Sequence, residues 1–357
     1  MDEDDLIRLQ LQIALERNCL RKAPELHYLF FELTDQCNLQ CMHCGSSCSA
    51  QNKQFLDPDK VKEIIKNAAV LEPRVHIVLT GGEPLLYPEF DEIISVLKQK
   101  GLYWSVVSNA MLVTDETAKK LSDHHIYSVS VSLDGSEYEH NRLRRNSHAY
   151  EQAVRGIRIL RQNDIYTQIT SVITKRTLQD LDALYKTVRE LNVTSWKVLN
   201  IEPIGRAEEN RDLLLDKNDL FYLFDYIKRH RAEEIKNQSG LDITYGCSHF
   251  LPGPYEGEIR TTPFICGSGI MIESIRSNGD ISGCLDLERR NELVQGNVYQ
   301  DDFWDVWLNR FEIFRKDRIQ DSPKCSECKY GILCAGDSFH TWDLDRKKPK
   351  MCLMETA

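Results

Sequence analysis

No stretch of this sequence is apolar for the roughly 20 residues that crossing a bilayer requires, so a membrane-spanning helix is excluded. The start, Met1-Asp2-Glu3-Asp4-Asp5, lacks the basic residues and apolar core of a secretory signal. Positive charge is in deficit: 45 Lys and Arg against 55 Asp and Glu leave a formal net charge of −10. That balance argues against nucleic acid or an anionic membrane as partner. Low-complexity tracts and short-period repeats are missing too, which leaves ordinary globular domains. These absences lead us to expect a cytoplasmic protein, where thiols stay reduced. Cysteine, by contrast, is abundant, with twelve in the chain. In a reducing compartment they read as metal ligands rather than a disulfide framework.

A chain of 357 residues, 41% hydrophobic and 28% charged, suits one large domain and a smaller one. Between residues 25 and 235, strand-like and helix-like segments alternate. Tyr28–Leu33, Val75–Thr80, Tyr103–Ser108, Tyr127–Ser132, Gln168–Thr174 and Ser195–Ile201 are short and β-prone, as buried parallel strands are. Asp57 and Pro58 supply an N-cap and first-turn proline for a helix through Val70, and Gly101 ends one through Leu97. Tyr150–Leu160, Leu178–Leu191 and Leu220–Ile227 repeat apolar residues at helical spacing. Six βα units in series predict an α/β fold, a partial (β/α)6 barrel with outer helices and its chemistry at the C-terminal strand ends. Past residue 235 the pattern changes. Pro252, Gly253 and Pro254 open a cysteine-rich, irregular stretch with one helix, about Asp301–Phe314, expected to be held together largely by metal. The expected division is a helical extension over 1–27, the barrel over 28–235 and the cysteine-rich domain over 236–357.

The first strand runs into Thr34-Asp35-Gln36-Cys37-Asn38-Leu39-Gln40-Cys41-Met42-His43-Cys44. Three thiolates are one short of a closed zinc site or a fully ligated iron–sulfur cubane. A cubane on three cysteines leaves one iron open to chelate an amino and a carboxylate group. A zinc knuckle completed by His43 or Cys48 is the plainer alternative. Three segments at successive strand ends weigh against it. Thr80-Gly81-Gly82-Glu83-Pro84 lets the backbone approach a ligand and offers Glu83 to an ammonium. Ser108-Asn109 and Ser132-Leu133-Asp134-Gly135 add short polar side chains, and Arg144, twelve residues beyond Ser132, suits a carboxylate.

Together these segments resemble the radical S-adenosylmethionine superfamily over most of residues 28–205. The resemblance implies that Cys37, Cys41 and Cys44 hold a [4Fe–4S] cluster whose open iron chelates S-adenosylmethionine. His43 stands where an aromatic residue is usual. By the same resemblance Gly81, Gly82 and Glu83 meet the methionine amino group, and Ser108 and Asn109 line the cofactor. Ser132 and Arg144 meet its ribose and carboxylate, and Ile201, in Ile201-Glu202-Pro203, packs near the adenine. Reductive cleavage would yield a 5′-deoxyadenosyl radical that abstracts hydrogen from a substrate.

The C-terminal cysteines resemble a SPASM domain. Cys266, twelve residues, Gly279, four residues and Cys284 are followed by Cys325-x2-Cys328-x5-Cys334 and then Cys352. The resemblance implies two auxiliary [4Fe–4S] clusters, three in all. Cys325, Cys328, Cys334 and Cys352 would complete one. Cys266 and Cys284, with Cys247 upstream, would hold the other. The family's next cysteine falls on Ser338, so this second site is expected to be short of one thiolate. Cys19 and Cys48 stay unassigned.

SPASM enzymes mostly act on peptides or proteins, so the resemblance implies a maturase of a ribosomally made peptide. Crosslinking, epimerisation or side-chain oxidation of the sulfatase-maturase kind are the candidate reactions. An electron donor such as flavodoxin or ferredoxin would serve it. About 27 residues precede the first strand, so peptide capture is expected to use the open barrel, the SPASM surface or a partner. A radical dehydrogenase of a small molecule and a non-enzymatic electron carrier are the readings from other classes.

Overall fold

The computed structural model describes residues 3–251 and 254–354. Pro252 and Gly253, expected to open the irregular segment, lie outside the described residues. A 20-residue helix, α1 (Glu3–Lys22), precedes β1 (Tyr28–Glu32). Five further strands follow in the expected places: β2 (His76–Thr80), β3 (Tyr103–Ser108), β4 (Ser128–Ser132), β5 (Thr167–Ile173) and β6 (Ser195–Asn200). They pair in parallel in chain order, with Phe30 opposite Val78, Val78 opposite Ser105 and Val131 opposite Ile169.

Local chemistry explains the crossover helices. In α2 (Pro58–Leu71) the Asp57 carboxylate accepts from the Asp59 and Lys60 amides at 2.8 and 3.3 Å, and Pro58 fills the first turn. In α3 (Phe90–Lys100) Gly101 closes the helix at φ 67°, a left-handed cap that glycine adopts without strain. Next come α4 (Asp115–Asp123), α5 (Glu137–Arg144), α6 (Ala149–Gln162), α7 (Leu181–Glu190), the short α8 (Arg206–Glu209) and α9 (Lys217–Asn237). The expected helix from Leu178 begins instead as a tight turn, Thr177–Asp180. The segment expected over Leu220–Ile227 grows to 21 residues because a reciprocal capping box, Asp216 with Asp219, starts it early.

Strand alternation then sorts the two faces. In β4, Val129 and Val131 are buried in the core beneath the helices, whereas Ser128, Ser130 and Ser132 are half-buried on the inner face. Polar side chains on that inner face pair with one another. His76 Nε2 meets Ser105 Oγ at 2.7 Å, Ser105 meets Ser128 at 2.8 Å, and Ser130 meets Thr170 at 2.7 Å. In β6, Trp196 stacks on Tyr185 of α7, so the adjacent Lys197 projects to the opposite, inner face.

The sheet is wider than six strands. Strand β7 (Asp242–Tyr245) adds in parallel to β6. Strand β8 (Ile272–Ile275) adds in parallel to β1, and β9 (Asp280–Ser282) and β10 (Gly296–Asn297) continue from it antiparallel. One ten-stranded sheet results, ordered β10-β9-β8-β1-β2-β3-β4-β5-β6-β7. The cysteine-rich segment therefore supplies strands at both ends of the barrel sheet. Its expected helix, Asp301–Phe314, is two short ones, Phe303–Asn309 and Glu312–Arg315. Arg315 folds back and donates to the Trp307, Leu308 and Gly269 carbonyls, occupying acceptors that a continuous helix would use itself.

Candidate active site

The loop after β1 carries the first three cysteines over the C-terminal rim of the sheet. Neighbouring loops hold it through its backbone. Cys37 N–H donates to Ser49 O at 3.0 Å and Met42 N–H to Leu143 O at 2.8 Å. Arg206 Nε donates to Cys41 O at 2.7 Å and Arg206 Nη2 to Cys48 O at 2.8 Å. Gly205 (φ 58°) lies so close that a Cβ there would stand 2.5 Å from Cys44 O. Arg206, at the start of α8, thus clamps the cysteine loop, a role that no sequence motif announces.

Gly81 and Gly82 make the second approach. Gly82 N–H donates to Thr34 O at 2.7 Å and Glu83 N–H to Gln36 O at 2.9 Å. A Cβ at Gly82 would sit 2.2 Å from Gln36 O and 2.9 Å from Cys37 Cβ, which is why the position needs glycine. Glu83 is fully buried behind this turn. Its carboxylate accepts from Ser108 Oγ at 2.8 Å, Asn109 N–H at 2.9 Å and Leu85 N–H at 3.3 Å. Burial outweighs these donors and pushes the acid up to about 7. Asn109 also reaches Asn38 Oδ1 at 2.7 Å and lies 3.9 Å from Cys37 Sγ.

A second network closes the other side. Asp134 is fully buried at the end of β4. Its carboxylate accepts from Arg144 Nε at 2.7 Å and from Val172 N–H at 3.0 Å. Arg144 Nη1 then lies 3.8 Å from Cys41 Sγ. Although burial alone would raise Asp134, Arg144 and the nearby histidines hold it well below the usual carboxylate range. The Asp134 N–H donates to His140 Nδ1 at 3.1 Å, and burial lowers His140 to about 3, so it stays neutral. Asp134 is absent from the sequence-derived site residues. The Asp134-Gly135 turn and the Arg144 ten residues on are the only signal of the pair.

Glu83, Ser108, Asn109 and Arg144 therefore converge on Cys37 and Cys41 from two sides. Ser132 ends β4 half-buried. Ile201 is buried just past β6, its N–H donating to Ile173 O at 3.0 Å. The donor set fits a cluster held by thiolates. Burial pushes Cys37 up to about 12 and raises Cys41, so both stay protonated until a metal displaces the proton. Cys44 is lowered to about 6, chiefly by the Cys48 thiol donating to it. Among the described residues no three His, Cys, Asp or Glu side chains converge closely enough to hold a single metal ion.

The C-terminal cysteines form two sets. Cys325, Cys328, Cys334 and Cys352 line one cavity of about 450 Å³, rimmed by Lys324 and Lys350. Four sulfurs on one cavity of that size fit a closed cluster site. Cys247, Cys266 and Cys284 lie within electrostatic reach of one another and of Asp286. Cys247 is reached by solvent yet enclosed enough that burial raises its thiol to about 11, so it lines a recess rather than a flat surface. Ser338 is fully buried and its hydroxyl is held by Thr341 Oγ1 at 3.0 Å. Cys19 is exposed on α1.

Residues 31–188 match the family described as the radical SAM superfamily, and residues 266–329 match SPASM, described as an iron–sulfur cluster-binding domain. The chain belongs to the radical S-adenosylmethionine superfamily and is an enzyme of that class with a C-terminal SPASM domain. An AdoMet-dependent heme synthase of Methanosarcina barkeri is 28% identical over 337 residues, covering 89% of this chain and 92% of that protein. Mycofactocin maturase MftC of Mycobacterium tuberculosis is 26% identical over 312 residues, covering 86% and 77%. Among solved structures, Streptococcus suis SuiB bound to S-adenosylmethionine superposes with a TM-score of 0.73 at 17% identity, over 93% of this chain and 78% of that one. The anSMEcpe structure with bound AdoMet and Cp18Cys peptide gives 0.72 at 18% identity, over 92% of each. At such identities the two structures speak to the fold alone. Among the described residues no helix is long and apolar enough to cross a membrane.

Proposed function

We propose that the protein abstracts hydrogen from a peptide or protein substrate during maturation of a ribosomally made peptide. The observation that carries the site assignment is the pair of networks, Glu83–Ser108–Asn109 and Asp134–Arg144, that flank the three-cysteine loop. A cluster on Cys37, Cys41 and Cys44 would supply the electron that splits S-adenosylmethionine into methionine and a 5′-deoxyadenosyl radical. Around it, Glu83 takes the methionine ammonium and Arg144, oriented by Asp134, takes the carboxylate. Ser132 offers its hydroxyl to the ribose, and Ile201 gives an apolar wall to the adenine. Two auxiliary clusters, on Cys247, Cys266 and Cys284 and on Cys325, Cys328, Cys334 and Cys352, bring the total to three, with a flavodoxin or ferredoxin as electron donor in the cytoplasm.

The peptide reading is supported by the SPASM match and by the maturase relative. A tetrapyrrole is the second reading, favoured by the heme synthase relative, which aligns over 92% of its own length against 77% for the maturase. The test is anaerobic incubation of reduced enzyme and S-adenosylmethionine with the small peptide encoded beside this gene, or with a carboxylate-bearing tetrapyrrole. Peptide-dependent 5′-deoxyadenosine and a mass change in the peptide support the first reading. Turnover of the tetrapyrrole alone supports the second. Replacing Cys37, Cys41 and Cys44 together by Ala should abolish 5′-deoxyadenosine in either case, and its persistence would overturn the site assignment.

A further inference from the structure

Two buried arginines stand between the auxiliary cysteine sets, and among the described residues no carboxylate lies at ion-pair distance from either. Arg318 is buried, and its guanidinium donates to three successive carbonyls: Ala335 O at 3.2 Å, Gly336 O at 3.4 Å and Asp337 O. It also stacks over Phe339 and Trp342, at 4.5 and 5.2 Å from the ring centroids. Arg17, from α1, is likewise buried and donates to Leu333 O at 2.9 Å and to Ile332 O, and its Nε has no partner. Both side chains line a small cavity of about 20 Å³ together with Cys266 from one set and Cys334 from the other. Asp337 is within electrostatic reach of Arg318 and Asp317 within reach of Arg17, but Asp337 is engaged by His249 and Asp317 by Arg21, so neither arginine has a carboxylate of its own, and a buried cation without a paired anion is costly.

The turn that Arg318 grips points to where that charge belongs. Ala335, Gly336 and Asp337 are three consecutive residues in the left-handed region, at φ 52°, 81° and 71°. Two of them are not glycine, and such a run persists only when its surroundings hold it. This conformation turns two amides onto sulfur. Asp337 N–H donates to Cys334 Sγ at 3.2 Å and Phe339 N–H to Cys266 Sγ at 3.4 Å. A single five-residue turn therefore serves one sulfur of each set.

We infer that Arg318, with Arg17, is the shared counter-charge of the two auxiliary cluster sites, and that Arg318 holds the turn coupling them. The inference rests on the reading that both sets carry iron–sulfur clusters. Positive charge and N–H groups aimed at cluster sulfurs stabilise the reduced form, which carries one more negative charge. Arg318 acts through the turn and its field, so it is a positioning residue. Helix α1, in this account, is the element that delivers the second cation.

The test is a reductive titration followed by electron paramagnetic resonance, on the reconstituted full chain with Cys37, Cys41 and Cys44 replaced by Ala so that only auxiliary signals remain. Arg318→Gln should make reduction of both auxiliary clusters at least tenfold less favourable, about 59 mV for one electron. Arg318→Lys keeps the charge and should recover most of the shift. Arg17→Gln should move both midpoints the same way by less. Midpoints that stay put, or a shift at one site only, overturn the inference. Should Arg318→Gln fail to hold iron, the same substitution in the otherwise unaltered chain decides. Loss from both auxiliary sites, with a cluster signal that still responds to S-adenosylmethionine, supports the shared clamp, and loss from one site alone overturns it. Wild-type protein with only about four irons, one cubane, would sink the underlying reading instead.

Discussion

Asp134→Asn is the most discriminating substitution at the radical site, because Asp134 is fully buried and is, among the described residues, the only carboxylate in hydrogen-bond contact with the Arg144 guanidinium. The variant keeps an oxygen for Val172 N–H, which lies 3.0 Å from the carboxylate. It places an NH2 group where Arg144 Nε now donates at 2.7 Å, so two donors face each other and a buried cation loses its counter-charge. Breaking a buried pair in this way costs about 3–5 kcal/mol. For a chain of this size each kcal/mol moves the melting point by about 1.3 °C, so a drop of about 4–7 °C is expected. The assay is anaerobic calorimetry of wild type, Asp134→Asn, Arg144→Met and the double variant at one scan rate. Coupling predicts that the double variant loses less than the sum of the singles, because it buries no lone charge. A single variant within about 1 kcal/mol of wild type, or strictly additive losses, would refute the reasoning.

Four further outcomes are expected. The Glu83 carboxyl is raised to about 7 by burial, and a ligand ammonium selects its ionised form, so S-adenosylmethionine affinity should be full above pH 8 and fall as the pH drops through 7. Glu83→Gln should weaken binding and flatten that dependence in calorimetric titrations between pH 6 and 9; an unchanged slope refutes it. The raised value also means that the buried acid loses stability for the fold as pH rises through about 7, a loss that Glu83→Gln should remove. Gly82→Ala forces a Cβ to 2.2 Å from Gln36 O and should displace the cysteine loop, abolishing the resonance signal that responds to S-adenosylmethionine while auxiliary iron remains. Cys247→Ala should lower iron from about twelve to about eight per chain, reckoned as four per cubane, and normal iron would remove Cys247 from the ligand set.

Much of the barrel was legible because its elements announce themselves locally. Five-to-seven-residue β-prone runs, Asp57-Pro58 before α2 and Gly101 after α3 act through contacts only a few residues apart. Strands β7 and β8 were not legible. Asp242–Tyr245 and Ile272–Ile275 are four residues long, and what makes them strands is the open edge of β6 and β1 that they find. The helix expected over Asp301–Phe314 failed for a related reason, since its apolar spacing is real but Arg315 takes the carbonyls that would have continued it.

At the site, the residues proposed to touch the ligand or metal were picked out in the sequence because spacing within one loop, or a glycine pair, leaves a local imprint. The family and its enzyme class follow from those imprints alone. What only the tertiary structure decided is which groups stand behind them. Arg206 across the cysteine loop and Arg318 under the turn between the auxiliary sites are each a single charged residue with no motif around it, and the Ser132–Gly135 segment that holds Asp134 does not say that Asp134 stands beneath Arg144. An arginine or aspartate on a helix or turn reads as a solvated surface charge until the fold buries it. Once buried, its charge must be met by a group far away in the chain, and such a pairing leaves no trace in sequence spacing.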